Sequence, residues 1–270
     1  MKSPFDPDPI DEIPLERAPL VRVLSQVRWP TLTQMQAEPL GHIASEFGKS
    51  ISSDYPIYGE QQEVQIVLTP EGPTQQAKGI IYQFKSSDEI WRVSLTTTFI
   101  TLEASSYTSK KDFCDRFTSI LDALQSVAAI PQASRVGFRY VNRVDDSEIY
   151  DRIGELVNPL VMGGGSVPLG PANLMQSINE SLFAIGNTNL LARWAHLPPR
   201  GTTDLTIEAS ERSSWLLDLD AFREGNSAFV PQELVAQAET LSRVAYKFFR
   251  WAVKEEFLKV YGGKFDETAS

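Results

Sequence analysis

The chain has 270 residues, of which 42% are hydrophobic and 22% are charged, and its formal net charge is −10. This is the composition of a globular protein large enough to bury a substantial core. Because both halves are acidic, there is no basic footprint for neutralising phosphates, and nucleic acid is disfavoured as a partner. No apolar run approaches the roughly 20 residues that span a bilayer. We therefore expect a cytoplasmic protein without a membrane anchor.

The first segment, residues 1–19, holds five prolines among several acidic residues. Proline restricts the backbone to extended conformations and prevents a helix, so this segment is predicted to be an extended Pro/Asp-rich arm. The arm is either a mobile tail or lies on the surface of the protein or of a partner. It lacks the apolar region of a signal peptide.

Residues 20–134 are predicted to form the first half of one compact unit. Alternating apolar residues indicate strands, and apolar residues three and four positions apart indicate helices. The order is a strand at about 20–29, a helix at about 38–51, strands at about 62–69, 78–85 and 90–104, and a helix at about 110–127. Within the strand at 90–104 the apolar residues move from odd to even positions, which predicts a β-bulge near Thr96–Phe99.

The single cysteine, Cys114, lies between two phenylalanines on the predicted helix at 110–127. One cysteine cannot form an internal disulfide, which is typical of proteins of a reducing cytosol. Its place on the apolar face of a helix predicts a small, buried core residue rather than a nucleophile.

Residues 135–270 are predicted to form the second half. The order is a strand at about 135–144, a helix at about 148–158, a Gly/Pro-rich loop, several strands between about 174 and 222, and a long helix at about 231–261. In that helix the apolar residues from Leu234 to Ala252 follow each other at steps of 4, 3, 4, 3 and 4. The unbroken register predicts one continuous helix packed across a concave sheet.

The two halves share the order strand, helix, several strands, helix. This order is typical of α+β proteins in which an antiparallel sheet wraps around helices. We predict two pseudo-equivalent β-α-β(3–4)-α halves, with a curved antiparallel sheet gripping long helices in the manner of helix-grip or saddle-like folds.

No catalytic or metal-binding signature is present. The two histidines, His42 and His196, have no zinc-ligand spacing, and there is no Gly-x-Ser-x-Gly elbow. The glycine-rich stretch Met162–Pro171 lacks the Gly-Lys-Ser/Thr of a phosphate loop. Asp218 and Asp220 are interpreted as edge or turn residues. We predict no catalytic residue, no metal and no cofactor.

The strongest polar cluster lies on the strand at 135–144. Arg135, Arg139 and Arg143 share one face of this strand, and Asn142 lies beside them. Three like charges on one face repel each other unless anions neutralise them. Carboxylates of neighbouring strands, such as Glu103, are one source, and an anionic ligand or a partner surface is the other. Arg135, Arg139, Asn142 and Arg143 are therefore the candidate ligand- or partner-binding residues.

Three stretches carry a family resemblance: Leu15-Glu-Arg-Ala-Pro-Leu-Val, Trp91-Arg-Val-Ser-Leu-Thr-Thr-Thr-Phe-Ile-Thr-Leu-Glu and Gly137-Phe-Arg-Tyr-Val-Asn-Arg. Together they resemble a sporadically distributed family of bacterial and archaeal proteins whose function is uncharacterised. The chain departs from that family at two positions. Members often carry an acidic residue at the position of Arg22, and Asp or Asn at the position of Thr98. The resemblance implies a patchy, horizontally transferred prokaryotic gene.

These observations favour a non-enzymatic interaction or regulatory protein. The distribution implied by the resemblance is common among mobile, phage-defence and toxin–antitoxin loci, so a protein partner is expected, either the product of a neighbouring gene or a second copy of the chain. The alternative is a binding protein for an anionic or apolar small molecule, or a hydrolase, that uses a cavity between sheet and helix. A ligand binder needs an enclosed pocket with convergent polar groups. An interaction protein needs an exposed apolar patch or groove.

Overall fold

A computed structural model describes residues 3–6, 10–69, 72–106 and 109–264. The strands are β1 Leu20–Arg28, β2 Ile57–Thr69, β3 Gly72–Lys85, β4 Trp91–Leu95, β5 Phe99–Ala104, β6 Gln132–Val144, β7 Ser177–Ile185, β8 Thr188–Leu197 and β9 Ser214–Ala228. The helices are α1 Ala37–Ile51, α2 Lys110–Ala128, α3 Ser147–Tyr150, α4 Ile153–Leu156, α5 Pro231–Ala252 and α6 Glu255–Val260. Short 3-10 turns lie at Thr33–Met35, Pro159–Val161 and Gly163–Ser166.

The nine strands form one open antiparallel sheet in the order β2-β3-β4-β5-β1-β6-β9-β8-β7. With the six helices, this confirms the predicted α+β class with an antiparallel sheet. In the part of the chain that the structure describes, β2 and β7 are the two edge strands of this sheet.

The chain forms two compact units. The first comprises Met1–Arg22, Arg139–Ala221 and Leu241–Ser270, and the second comprises Val23–Phe138 and Phe222–Thr240. The division into halves at residue 134 stays a prediction. Parts of the predicted arm and of the second half, residues 1–2, 7–9 and 265–270, lie outside the described residues.

In the first unit, the β7–β8 hairpin packs against the second part of α5. The Phe183 ring on β7 lies 5.8 Å from the Phe248 ring on α5, and Phe5 of the arm lies 5.0 Å from Phe183. Farther along the arm, the backbone amide of Ile13 donates to the Tyr246 hydroxyl at 2.7 Å. These described parts of the arm therefore lie on the first unit.

The predicted bulge near Thr96–Phe99 is wrong, because the stretch holds two strands joined by a tight turn. β4 and β5 pair antiparallel with Leu95 opposite Ile100. The Thr96 amide donates to the Phe99 carbonyl at 2.9 Å, and the Thr96 hydroxyl accepts from the amides of Thr98 and Phe99, each at 3.2 Å. A turn reverses the chain and changes the parity of inward residues just as a bulge does, so periodicity alone could not separate the two.

The prediction of one helix over 231–261 is also wrong. α5 ends at Ala252 and α6 begins at Glu255. The Ala252 carbonyl accepts from the Asn158 amide, and the Lys254 amide donates to the Leu156 carbonyl, both at 2.8 Å. The helix ends here because its backbone groups pair with the last residue of α4 and with the segment that follows it. The helix predicted at 148–158 is likewise replaced by the short α3 and α4.

Candidate functional site

Arg139 on β6 and Asp218 on the neighbouring strand β9 form a bidentate ion pair. Arg139 Nε donates to Asp218 Oδ1, and Nη2 donates to Oδ2, both at 2.7 Å. Asp218 is 1% exposed, and a side chain buried to this extent lacks solvent to compensate it, so the partner is needed for stability. Burial alone would lower the pKa of Arg139, but the bonds and charges of Asp218 and Asp204 outweigh it and raise that pKa above its ordinary value. The guanidinium is therefore permanently charged and firmly held.

Further ion pairs connect Arg139 and Asp218 to the edge strand β7. Arg193 on β8 places Nη1 3.4 Å from Oδ2 of Asp218, and its Nε donates to Glu180 on β7. Four neighbouring strands, β6, β9, β8 and β7, thus each contribute one charged side chain. Asp204 and Arg22 join them from a loop and from β1. We call Arg22, Arg139, Arg193, Glu180, Asp204 and Asp218 the ion-pair network; its formal charges sum to zero.

The loop between β8 and β9 covers one end of the network. Asp204 in this loop lies 2.9 Å from Arg139 Nη2 and 3.8 Å from Arg22 Nη1. Arg22 also donates to the Thr206 hydroxyl at 2.7 Å and to the Thr206 carbonyl at 2.5 Å. Burial would raise the pKa of Asp204, but hydrogen bonds from Thr206 and the charge of Arg139 lower it below the usual range. Asp204 therefore stays ionised and anchors the loop.

A small apolar cluster lies in the same unit. Its buried members are Val141, Ala195, Leu197 and Leu216, with Val21 and Ile207 packed against them. Ile207 belongs to the loop that carries Asp204, so the loop is held by apolar contact as well as by charge.

The structure places the four predicted site residues differently. Arg139 lies in the ion-pair network. Arg143 donates from Nη1 to the Glu208 carbonyl at 2.6 Å and lies 3.2 Å from Asp145. Asn142 is buried. These three are in the first unit, whereas Arg135 is in the second. Their binding role stays a prediction.

In the second unit, Arg135 lies over the Phe222 ring, 4.5 Å from its centroid, and its Nη1 donates to Gln26 Oε1 at 3.3 Å. The guanidinium therefore has an aromatic contact and a neutral acceptor. Glu103, which the sequence suggested as a carboxylate partner for the arginines, accepts a hydrogen bond from Arg92 on β4.

Sequence reasoning missed Asp218, which is not an edge or turn residue. It lies inside β9, in the run Trp215-Leu-Leu-Asp-Leu whose residues are all buried. The sequence signal was a single carboxylate within an apolar run. It indicates a buried ion pair, because a charged side chain is buried in a strand only with a partner. Sequence reasoning also missed the other members of the network, Arg22, Arg193, Asp204 and Glu180.

The network ends at an exposed apolar edge. Among the strands that the structure describes, β7 pairs only with β8. Its residues alternate, and on the more exposed face Ile178 is 50% and Leu182 is 63% exposed. Across the hairpin, Leu182 lies opposite Leu191 and Glu180 lies opposite Arg193. We call Ile178, Glu180 and Leu182 the edge surface.

More apolar side chains are exposed close to β7 in the sequence. Of the twelve large apolar side chains that are exposed in the described part of the chain, six fall within residues 160–182. They are Leu160, Val167, Leu169, Met175, Ile178 and Leu182. All six therefore belong to β7 or to the segment that leads into it.

The glycine-rich stretch that precedes β7 packs on this strand. The Gly164 amide donates to the Ser177 hydroxyl at 3.0 Å. Gly163 has φ +52, and a Cβ there would lie 2.2 Å from Asn179 Nδ2. A side chain at this position would be strained and would clash, so the glycine lets the loop seat against the strand. The glycine-rich stretch therefore packs closely against the start of β7.

A groove lies in the second unit, between α1 and the β2–β3 hairpin. Its volume is about 480 Å³. The α1 side contributes small residues such as Ala44 and Gly48, and the hairpin contributes Tyr58 and Phe84. Its lining also includes the polar side chains of Ser45, Lys49, Ser52 and Tyr55.

Within residues 3–6, 10–69, 72–106 and 109–264, no three or more His, Cys, Asp or Glu side chains are grouped to hold a metal ion. None of the helices described is long and apolar enough to cross a membrane. No protein-family model matches the sequence, and a search of curated proteins finds no match.

Proposed function

We propose that this protein is a non-enzymatic interaction module that binds a protein partner by accepting a strand along β7. The observation that carries the proposal is that β7, among the described strands, pairs only with β8, together with the exposure of Ile178 and Leu182. An edge strand offers a row of unpaired backbone donors and acceptors, and a partner strand can satisfy them. Backbone bonds then supply affinity, and the alternate side chains supply specificity.

The ion-pair network supports this role by fixing the edge. Glu180 on β7 is joined through Arg193 to the buried Asp218 and Arg139. The backbone pairing of β7 with β8 runs along the whole strand, and the Glu180–Arg193 pair lies across it, so the edge strand is ordered before a partner arrives. Pre-organisation lowers the ordering cost of association.

The opposite edge provides a contrast. At the described start of β2, Tyr58 donates to Glu60, and Gln61 and Gln62 follow. Charged and polar side chains on an edge strand discourage pairing with another chain. Over its full length β2 carries Glu60 and Glu63, whereas the single carboxylate of β7, Glu180, is paired with Arg193, and this difference favours β7 as the contact strand.

The setting is also part of the proposal. The resemblance to a patchily distributed prokaryotic family supports a cytoplasmic role at a mobile, defence or toxin–antitoxin locus. The partner would be the product of a neighbouring gene or a second copy of the chain.

Affinity capture from the native host with wild type, Leu182→Lys and Ile57→Lys tests the proposal. Leu182→Lys places a charge on the edge surface, and Ile57→Lys makes the same change on β2, where Ile57 is also exposed. We expect the partner recovered with wild type and Ile57→Lys to be lost with Leu182→Lys. Equal recovery with both variants would contradict the role of β7.

A second function, the binding of an apolar small molecule, is favoured by the groove beside α1. Its aromatic wall of Tyr58 and Phe84 suits a flat apolar ligand. Ser45→Phe would place an aromatic ring in the groove, because Ser45 lines it and is exposed. If this function is correct, 1-anilinonaphthalene-8-sulfonate should bind the wild type and lose most of its affinity for Ser45→Phe. Equal affinity for the two proteins would reject this alternative.

A further inference from the structure

We infer that the strand added to β7 is β7 of a second copy of this chain, so that one sheet continues across a two-fold axis. This inference rests on the proposed function and names its partner. A two-fold axis perpendicular to a sheet runs two identical edge strands antiparallel and keeps each face on its own side. The edge surface of one copy then continues into that of the other.

The side chains favour one register. With Leu182 on the axis, the two Leu182 side chains meet, and Glu180 lies opposite Ala184 of the second copy. Because Leu182 already lies opposite Leu191 within the hairpin, this register makes a row of four leucines across four strands. Cross-strand apolar pairs of this kind stabilise sheets.

Other registers are less favourable. With Glu180 on the axis, two carboxylates would face each other, and like charges directly opposite destabilise a sheet. With Ser181 on the axis, Glu180 would face Leu182, and the leucine row would be broken.

Charge also favours a second copy over a basic partner. The chain carries −10 overall, so two copies repel each other except where a surface is locally neutral. β7 is such a surface, because its only charged residue is Glu180, which Arg193 neutralises. A basic strand would find no surplus negative charge there to recognise.

Sedimentation velocity of the purified full-length chain over a hundredfold concentration range tests the association. The wild type should shift from 30.1 kDa to twice that mass as concentration rises. Leu182→Lys should remain at the lower mass, because two lysines would meet on the axis, and Ile57→Lys should behave as the wild type. Circular dichroism melting curves establish that both variants are folded.

The register has its own test. A residue on the axis lies opposite itself, so Leu182→Cys should form an interchain disulfide on mild oxidation, whereas Ala184→Cys and Ser181→Cys should not. The native Cys114 is buried and does not compete. Cross-linking of Ser181→Cys instead of Leu182→Cys would overturn the register.

A wild type that is monomeric throughout would overturn the second copy as partner, as would a dimer that survives Leu182→Lys. If the monomeric wild type still captures a different protein and Leu182→Lys does not, the proposed function stands without this inference. If that capture is unchanged by Leu182→Lys, both are wrong.

Discussion

Arg139 and Asp218 are joined by two parallel hydrogen bonds of 2.7 Å, one to each carboxylate oxygen. This geometry is the strongest form of ion pair between these side chains. The sequence left open whether a carboxylate of a neighbouring strand or an external anion neutralises Arg139. The structure shows a carboxylate of a neighbouring strand. We therefore expect the loss of Arg139 to lower the stability of the protein first. An effect on binding would be indirect, through the position of β7.

Arg139→Ala should lower the free energy of unfolding by about 3–5 kcal/mol, because it leaves the buried Asp218 without its main partner. The matched control is Arg200→Ala. Arg200 and Glu211 form an ion pair at 2.9 Å with both side chains more than 70% exposed, and exposed pairs contribute little. Urea denaturation of the two variants measures the difference. A loss for Arg139→Ala no larger than that for Arg200→Ala would show that the network is not buried.

Arg139→Met combined with Asp218→Leu should be more stable than either single variant. A buried ion pair can be replaced by apolar groups of similar volume at little cost, whereas removal of one partner leaves a charge unpaired. A double-mutant cycle from urea denaturation should give a coupling energy of at least about 2 kcal/mol. Strictly additive losses would mean that the two side chains do not interact.

Acidification should destabilise the protein through His196. This side chain is 7% exposed; burial lowers its pKa below 6.5, and the backbone of Met162 offsets part of the effect. The unfolded chain then binds a proton at about pH 6.5 that the folded chain does not, so stability falls as the pH drops below that value, by at most about 1.4 kcal/mol per pH unit.

Thermal melting at pH 7.5, 6.5 and 5.5 checks this expectation, and His196→Gln serves as the control because its side chain does not titrate. The wild type should lose stability across the series, and the variant should lose less. The same slope for both proteins would assign the pH dependence to other groups.

Cys114 should be unreactive in the folded protein. It is 5% exposed, and burial, with a smaller effect from the Glu239 carboxylate, raises the pKa of its thiol to about 12. Because the thiolate is the reactive form, 5,5′-dithiobis(2-nitrobenzoate) at pH 8 should modify the thiol only slowly. In 8 M urea one thiol per chain should react at once. Immediate reaction without urea would contradict the burial of this residue.

The sequence predicts elements well where local periodicity decides them, as in α2 and β6. Prediction from the sequence fails where contact with a distant segment determines the end of an element. α5 ends at Ala252 because its backbone meets residues 156–158, and no feature of the helix itself marks that contact. The parity change at Thr96–Phe99 was visible, but a turn and a bulge produce the same pattern.

The candidate site shows the same limit. The strand pattern identified Arg139 as a charge in need of a partner. It could not show that Asp218 is that partner, because β6 and β9 are neighbours in the sheet but far apart in the sequence. The edge position of β7 likewise depends on the order of all nine strands.

Hydrogen exchange of the backbone amides of β7 tests the central claim most directly. Amides of β7 that face β8 are already bonded, whereas those on the outer edge gain a partner only when a strand is added. The account predicts that the outer amides exchange at least about tenfold more slowly in the assembled protein than in the dissociated one, while amides at the start of β2 are unchanged. Unchanged exchange throughout β7 in a fully formed assembly would contradict it.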